Sequence, residues 1–431
     1  MNKKSIVLGL SALIFTCARL SAALKEGETV TESNWSDLTV GFKPDGQALG
    51  GLTAGSAIDK SNADKAKEAI PEGLRALIDQ YDLKLPLRDY APIAPSGGYI
   101  EATNQYSRSA KLIETGDDPD KKGIEGYVAG LPFPMPENGL EAAWNFLHHY
   151  EADNFQSDFK IFWINPKRGV ERSQTWAWEG FRRPLSKTDM APKPAMPQFS
   201  KDKIFSITMV KAKEPFDVSG LRQMFYANDW PSESVQWVYI PALRRVRQLS
   251  YGLRGDVFNS TDLFVEDARG YSGFVEWQKW KLSGKKTILG SMHADMPNTP
   301  EGHAQAFELK SSPYVNFTVP WEPRPVYVVE AQSKYPQYPY GKMVFYIDAE
   351  TNLVLLKEGY DRKGNLWKTI VLVYNAHQAG LPPDLRALHV IDHRIRHATL
   401  FYLWNWRYND PSISLNDFTI TAMRRNEGRG N

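Results

Sequence analysis

The stretch GKMVFYIDAETNLVLLKEGYDRKGNLWKTIVLVYN, residues 341–375, decides the fold class. It contains three runs of aliphatic, β-branched and aromatic side chains, which is the composition of strands. Two short polar segments, DAETN and DRKGN, separate the runs, and Gly364 in the second can adopt a positive φ. The preceding run PVYVVEAQ extends the pattern. These residues therefore predict antiparallel strands joined by hairpins.

Strand-like runs continue on both sides of this meander. A pair of runs, HATLFYLWNWRYN and DFTITAMRR, closes the chain and predicts two final strands. The runs before the meander are FKIFWI, QTWAWEGF, KIFSITMVKA, RQMFYAN, VQWVYIPALRRVRQL and VEWQKWKLSGKKTIL. The sequence thus predicts a mainly β protein with some helix, built on one large antiparallel sheet.

Two helices are predicted in the N-terminal part. Residues 62–81 place Leu74, Leu77, Ile78 and Tyr81 at helical spacing, and Pro71 marks the first turn of the stronger half. The segment ENGLEAAWNFLHHYEA, residues 137–152, carries a second apolar stripe. The segment YIEATNQYSRSAKLI between them, residues 99–113, is interpreted as a strand. We expect the first helix to pack on or across the mouth of the sheet.

The first residues have the pattern of a secretory signal peptide. Lys3 and Lys4 precede an apolar run, and small residues lead to a cleavage site after Ala23. The apolar run is shorter than the roughly 20 residues that cross a bilayer, so a membrane anchor is disfavoured. Acylation of Cys17 after cleavage is a third alternative, disfavoured by the bulky residues before it. Cleavage after Ala23 would leave a mature chain without cysteine.

Composition narrows the class of protein. The 431 residues are 42% hydrophobic and 24% charged, with a net charge of +2, which is an ordinary globular balance and not that of a nucleic-acid binder. Thirteen Trp, 20 Tyr and 20 Phe lie mostly in the alternating runs, which supports the large sheet.

Several motifs resemble a known family. The segments YIEATNQYS, YVAGLPFP with AAWNF, VYIPALRRVRQL, WKLSGKK, YDRKGNLWKT and SISLNDFTITAMRR occur in consistent order over residues 95–425. They are similar to the domain-of-unknown-function family 1329 (DUF1329) of Gram-negative bacteria, whose members are described as resembling the lipoprotein-sorting proteins LolA and LolB. The chain departs from that pattern at IPALRR, where Ala242 adopts a positive φ less easily than the usual glycine.

The resemblance implies a strongly curved antiparallel sheet that forms an incomplete barrel, with helices at its mouth and an apolar cavity for acyl chains. It implies one such domain over residues 24–431, after a signal peptide of residues 1–23. It also implies a hydrophobic ligand and work beside a permease of the resistance-nodulation-division (RND) type or an outer-membrane protein. No cofactor is expected.

Candidate binding residues come from strand alternation. Aromatic residues two apart face one side of a strand, which gives the pairs Trp237 with Tyr239, Trp404 with Trp406, and Trp176 with Trp178. Such pairs can line a cavity or simply fill a core.

The segment VYIPALRRVRQL supplies candidates for binding an anionic group. Alternation puts Arg245 and Arg247 on the side of Leu243 and Leu249, with Arg244 opposite. We hypothesise that Arg245 and Arg247 lie at the cavity rim, where guanidinium groups can bind an anionic headgroup. The alternative is an exposed strand with ordinary surface charge.

Motifs for metal binding or catalysis are weak. His389, His393 and His397 have regular spacing, but along one extended strand they would span more than roughly 25 Å, too far for one ion. His148 and His149 are assigned to the polar flank of the second helix. The segment GYSGF, residues 270–274, lacks the spacing of a G-x-S-x-G nucleophile elbow.

Two classes of function fit these observations. The first is a non-enzymatic periplasmic carrier or acceptor of a lipid, a lipoprotein or another long apolar molecule. The second is a periplasmic hydrolase that acts on an envelope polymer through carboxylates that the sequence does not identify.

Overall fold

The computed structural model describes residues 24–119, 121–229, 234–250, 255–309, 316–376 and 380–425. The predicted signal peptide lies outside the described residues. Thirteen strands form one sheet: β5 (Asn154–Asn165), β6 (Gly169–Phe181), β7 (Ile204–Glu214), β8 (Arg222–Asn228), β9 (Val235–Ile240), β10 (Arg245–Ser250), β11 (Gln278–Gly290), β14 (Glu322–Ser333), β15 (Lys342–Asp348), β16 (Val354–Tyr360), β17 (Leu366–Asn375), β18 (Asp384–Asp392) and β19 (His397–Tyr408).

Three two-stranded ribbons and six α-helices accompany the large sheet in the described residues, together with short 3-10 helices. The ribbons are β1 (Ala57–Ile58) with β2 (Leu85–Pro86), β3 (Lys111–Leu112) with β4 (Ile124–Glu125), and β12 (Phe307–Glu308) with β13 (Asn316–Phe317). The helices are α1 (Trp35–Thr39), α2 (Glu72–Tyr81), α3 (Gly97–Tyr106), α4 (Gly139–Leu147), α5 (His303–Ala306) and α6 (Ile420–Arg424). In the described residues, no helix is long and apolar enough to cross a membrane.

The large sheet is antiparallel and open. Its strand order is β10-β9-β8-β7-β6-β5-β19-β18-β17-β16-β15-β14-β11, and every neighbouring pair is antiparallel. The order follows the chain in each half because hairpins connect successive strands. The two halves meet where β19 pairs with β5. This confirms the predicted mainly β fold with a sheet that does not close.

Each face of the sheet packs a different core. Phe401 and Leu403 of β19 belong to the cluster that includes Phe159, whereas Leu400 and Tyr402 belong to a second cluster. The alternation follows from the two-residue period of a strand. We call the side of Phe159, Phe401 and Leu403 the cavity face, because these residues also line an apolar cavity.

Helix α2 covers the other face. Its side chains Leu74, Leu77 and Ile78 are buried in the second cluster, with Val371 of β17. Gly73 permits close contact, because a Cβ there would lie 2.5 Å from the hydroxyl oxygen of Thr369. The helix itself was predicted correctly. Its expected place at the mouth was wrong, since α2 packs on the face that turns away from the cavity.

Two segments that were predicted as strands are helical. The segment around residues 99–113 begins with α3, where the Ser96 hydroxyl accepts a hydrogen bond from the Tyr99 amide at 3.1 Å. The segment DFTITAMRR contains α6, where the Thr419 hydroxyl accepts from the Ala422 amide at 3.0 Å. These caps favour helix over strand although aromatic and β-branched residues are present. The prediction of one domain over residues 24–431 stays a prediction.

Candidate ligand-binding cavity

An apolar cavity, which we call the main cavity, lies against the cavity face and has a volume of about 290 Å³. A larger and more polar pocket of about 860 Å³ lies beside Trp35 and Tyr90. Strands β5 to β8, β18 and β19 form one wall, and the end of α4 forms another. Residues 256–277, which we call the cap loop, form a third wall. The apolar part of the lining comprises Trp144, Phe146, Leu147, Phe159, Trp178, Phe205, Val210, Phe225, Ala227, Phe258, Leu263, Val265, Ala268, Tyr271, Phe274, Leu385, Leu388, Phe401 and Leu403.

Buried polar contacts hold the cap loop on the sheet. Asp267 is fully buried and accepts from Lys357 Nζ at 2.5 Å and from the Tyr340 hydroxyl at 2.7 Å. Asp262 accepts from Thr399 Oγ1 at 2.7 Å and pairs with His397 Nδ1 at 2.6 Å. Buried carboxylates need such partners to remain ionised. The cap loop is therefore a fixed wall of the cavity.

Helix α4 ends at the cavity with two histidines. The Asn138 side chain accepts from the Glu141 amide at 2.9 Å and caps the start of the helix. His148 and His149 at its end are only 5% and 4% exposed, so their assignment to a polar flank was wrong. They are buried because aromatic rings pack on them, Tyr127 and Trp144 on His148 and Phe146 on His149. Burial lowers the pKa of both imidazoles.

Three arginines surround one carboxylate in the cavity wall. Arg182 and Arg183 follow β6, whereas Arg269 belongs to the cap loop. Glu151 pairs with Arg183 at 3.1 Å, with Arg182 at 3.5 Å, and most closely with Arg269. Arg269 also donates to His149 Nε2 at 3.1 Å, which fits a neutral imidazole that accepts at this nitrogen. We call these five residues the arginine cluster.

Burial and charge compete in the arginine cluster. Burial alone would raise the pKa of Glu151, but Arg269 and Arg182 hold that pKa well below its usual range. Burial, together with Arg269, lowers the pKa of the Arg182 guanidinium to about 9. At neutral pH the cluster therefore holds three cations and one anion, which is a net charge of +2.

Acidic side chains line another part of the wall. Asp229 forms a close ion pair with Lys122, so its charge is compensated. Burial raises the pKa of Glu276, which favours its neutral form. These two side chains therefore do not cancel the positive charge of the arginine cluster.

The structure places Trp237 and Tyr239 away from the cavity. Both belong to a cluster on the opposite face, with Phe418 of the C-terminal segment. Trp237 packs edge-on against Tyr226 at 5.4 Å, and the Tyr226 hydroxyl donates to the Phe418 carbonyl. The two residues do face one side of β9, as the alternation predicted, but that side is covered by the end of the chain.

Arg245 and Arg247 lie on the edge strand β10, and both are exposed. Arg245 pairs with Ile240 of β9, and Arg247 pairs with Val238 of the same strand. Both arginines are on the same side of the sheet as Phe225, but they do not line the cavity. The prediction that Leu243 lies on the same strand face as Arg245 was wrong, because β10 begins only at Arg245. Residues Pro241–Leu243 form a 3-10 turn, and Arg244 has φ 48°.

Trp404 and Trp406 do not share a face. A β-bulge follows Trp404, and Asn405 at its centre has φ 58°. The extra residue reverses the alternation, so Trp404 packs in the second cluster and Trp406 packs against the first. Trp406 contacts Trp178, a cavity residue, at 6.0 Å. None of the six predicted binding residues lines the cavity, and a binding role for them stays a prediction.

The pair Trp176 and Trp178 does share a face, on the cavity side. Trp176 is fully buried beside Phe159, whereas Trp178 reaches the cavity. One member of this pair therefore fills the core, and the other lines the candidate site.

The three regularly spaced histidines lie on a hairpin and not on one strand. His389 is in β18, His393 is in the turn, and His397 begins β19 opposite Asp392. The extended span estimated from the sequence was therefore wrong, because the chain reverses between them. Among the described residues no cluster of three metal-ligating side chains occurs.

The arginine cluster is the part of the site that the sequence did not reveal. Arg182 and Arg183 follow a predicted strand, and a tandem arginine at that position gives no local signal of burial. Arg269 and Glu151 are distant in sequence from them and from each other. Only contact in the fold distinguishes these arginines from the exposed Arg245 and Arg247.

The chain is similar in sequence to a bacterial protein and in fold to solved bacterial structures. An uncharacterized protein of Pseudomonas aeruginosa is 25% identical over 325 residues, covering 72% of this chain and 67% of the relative. A solved domain of a putative outer membrane lipoprotein-sorting protein from Vibrio parahaemolyticus has a TM-score of 0.47 and 17% identity, covering 67% of this chain and 98% of that one. A solved DUF1329 family protein from Desulfovibrio piger has a TM-score of 0.45 and 18% identity, covering 66% of this chain and 97% of that one.

The family itself follows from sequence. The family model described as a protein of unknown function, DUF1329, matches residues 57–424. This range contains the whole large sheet, α2, α4 and the cap loop. The protein therefore belongs to the DUF1329 family.

Proposed function

We propose that this protein is a non-enzymatic carrier or acceptor that holds a lipid or another long apolar molecule in the main cavity. The observation that carries the proposal is the largely apolar lining on the cavity face, closed on one side by the fixed cap loop. Aromatic and aliphatic side chains with a few polar groups are the usual lining of a site for a small apolar molecule.

The energetics of transfer support a carrier. Moving an acyl chain from a membrane into water costs about 0.8 kcal/mol per methylene, or on the order of 10 kcal/mol for a long chain. A carrier in water must replace most of the lost apolar contact. Side chains such as Trp178, Phe225 and Phe401 supply that contact here.

The alternative of a hydrolase needs carboxylates that are free to act. A glycoside hydrolase uses two, one as an acid and one as a base or nucleophile. In the described cavity wall, Glu151 is held by three guanidinium groups and Asp229 is paired with Lys122, which leaves Glu276 alone where this reaction needs two carboxyls. These pairings favour binding over acid–base chemistry.

The proposed location is the periplasm, and the expected signal peptide supports it. The mature protein should begin at Leu24, because the small residues before that position suit signal peptidase. N-terminal sequencing of the protein from a periplasmic extract tests this expectation. An intact start, or incorporation of labelled fatty acid at Cys17, would contradict it. An RND-type permease or an outer-membrane protein is the proposed transport partner.

Filling the cavity should abolish binding. Ala227 lies on β8 and lines the cavity, so Ala227→Trp should place an indole in the space that the ligand needs. We expect binding of the neutral fluorescent probe N-phenyl-1-naphthylamine to weaken about tenfold or more, equivalent to roughly 1.4 kcal/mol. Fluorescence titration of purified protein measures this, and solvent extraction with mass spectrometry identifies any lipid that copurifies.

Gln223→Trp is the matched control. Gln223 lies on the same strand and on the same side as Phe225, but it does not line the cavity. This control should bind the probe as the unmodified protein does. Equal binding by the unmodified protein and both variants would show that the probe sits elsewhere and would contradict the proposal.

A further inference from the structure

We propose that the arginine cluster is a binding site for an anionic group, so that the cavity takes an amphipathic ligand with an apolar chain and a carboxylate at its end. The inference rests on the proposed function, because it names the chemical class of the ligand in the same cavity. It differs from the sequence-based hypothesis, which assigned this role to Arg245 and Arg247.

The first argument is charge. Three guanidinium groups, with side-chain exposures of 12% for Arg182, 8% for Arg183 and 26% for Arg269, surround the single carboxylate of Glu151. Taking cations out of water is costly unless anions compensate them. One carboxylate compensates one of the three. A ligand carboxylate would neutralise a second charge and would reduce that cost.

The second argument is an unused donor. Arg183 lines the cavity, and its side chain is more than nine-tenths buried. One of its terminal nitrogens donates to the Leu147 carbonyl and to Glu151, but its Nε has no partner among the described residues. A buried donor without an acceptor costs free energy that a ligand oxygen can recover. Guanidinium groups bind carboxylates through two parallel hydrogen bonds, which makes Arg183 suitable for this role.

Arg182 is arranged to bind and not only to brace the fold. Its guanidinium lies over the rings of Phe155 and Trp178, 4.1 Å and 4.4 Å from their centres. Its contact with Glu151 is long, at 3.5 Å, whereas Arg269 and Arg183 contact that carboxylate more closely. This cation–π contact holds the Arg182 guanidinium beside the rings without using its hydrogen-bond donors. These donors therefore remain available beside the apolar wall formed by Trp178.

Other charged groups near the cavity do not provide the missing anion. Asp229 is paired with Lys122, and burial favours the neutral form of Glu276. Asp153 accepts from the amides of Asp189 and Met190, at 3.1 Å and 2.6 Å. The positive charge thus faces the cavity, and an anion from solution or from a ligand is the remaining partner.

The experiment compares dodecanoate with dodecanol on the full mature protein, by displacement of N-phenyl-1-naphthylamine. The two probes share a chain and differ in the charged group. We expect dodecanoate to bind at least about tenfold more tightly than dodecanol, because charge-assisted hydrogen bonds are stronger than hydrogen bonds between neutral groups. Arg182→Met keeps the apolar stem and leaves Arg183 and Arg269 to pair with Glu151. It should remove most of the preference for dodecanoate over dodecanol.

Two further variants make the result decisive. Arg182→Lys keeps the charge and loses the planar fork, so it should retain part of the preference. The double variant Arg245→Ala with Arg247→Ala removes two exposed arginines and should retain all of it. Circular dichroism and melting curves confirm that each variant is folded.

Each remaining outcome contradicts a specific statement. Equal binding of both probes to the unmodified protein overturns the anion site and leaves the apolar carrier intact. Loss of preference in the Arg245 and Arg247 double variant, but not in Arg182→Met, overturns this assignment in favour of the edge strand. Failure of both probes and of the fluorescent dye to bind overturns the carrier as well.

Discussion

Arg324→Met should lower the free energy of unfolding by about 3 to 5 kcal/mol, because it leaves buried carboxylates without their cation. Arg324 is fully buried. Its Nε donates to Asp348 at 2.7 Å, and its Nη2 donates to Glu350 at 2.6 Å. Burial opposes the charge on Arg324, but Asp348 and Glu350 outweigh that effect and raise its pKa. Urea unfolding at pH 7 measures the loss.

The buried network of Arg324, Asp348 and Glu350 also holds the segment before α3 on the sheet. The Arg324 guanidinium donates to the Ala91 carbonyl at 2.8 Å, and Glu350 accepts from the Ser36 hydroxyl at 2.5 Å. Trp35 Nε1 donates to the Glu350 carbonyl at 3.0 Å. Loss of Arg324 should therefore loosen residues before α3 first, which limited proteolysis can detect.

Arg75→Met is the matched control for Arg324→Met. Arg75 pairs with Asp64 and Asp79 on the surface of α2, where its side chain is 33% exposed. Exposed pairs contribute little, so we expect a loss of less than about 1 kcal/mol. If Arg324→Met does not fold, adding Asp348→Asn should recover folded protein. A loss below about 1 kcal/mol for Arg324→Met would contradict the role of the network.

Acidification from pH 7 to pH 5 should destabilise the protein through His389. The side chain is 2% exposed, and burial lowers its pKa to about 3. The unfolded chain has an ordinary histidine pKa of about 6.5, so the unfolded state binds the proton more readily. The stability contribution of neutral His389 is present above pH 6.5 and is lost as the pH falls below it. The expected loss at pH 5 is about 2 kcal/mol.

His393 adds a similar effect. Burial lowers its pKa to about 4, and its ring packs on Tyr81 of α2 at 6.4 Å. Its Nε2 lies 2.7 Å from the Thr369 hydroxyl, which links the turn to β17. Protonation of His393 should therefore weaken the contact between α2 and the sheet. At pH 5, protonation of His393 on unfolding should lower the free energy of unfolding by about 2 kcal/mol in addition to the effect of His389.

His389→Leu isolates the effect of one histidine. Burial raises the pKa of Glu276 and Glu358, so these carboxyls stabilise the fold as the pH falls and partly offset the histidines. Both the unmodified protein and His389→Leu contain these carboxyls, so their effect cancels when the pH-dependent losses of the two proteins are subtracted. Urea unfolding at pH 7 and pH 5 should give a smaller pH-dependent loss for His389→Leu, by about 2 kcal/mol. An equal loss in both proteins would contradict a neutral buried His389.

Local pattern was enough to predict most elements of this fold. The strands of the meander, α2 and α4 all fall where the sequence pattern placed them. Helical periodicity identified α2 because that helix buries one stripe, whereas the meander strands, which are buried on both faces, were identified by their composition and their polar turns. Local pattern failed for α3 and α6, where a capping hydroxyl outweighed the strand preference of the side chains. The hydroxyl of Ser96 before α3 was a signal that the sequence did contain.

The sequence by itself determined the family and the mainly β class. Tertiary structure alone decided which face holds the cavity. One bulge at Asn405 separates Trp404 from Trp406, and one turn at Arg244 ends the alternation before β10. One extra residue in a strand moves all the following side chains to the opposite face of the sheet. The hydrophobic pattern of the sequence does not show where such a residue lies. The arginine cluster joins the segment after β6, the segment after α4 and the cap loop. These segments are far apart in the chain, and only the folded protein brings their charges together.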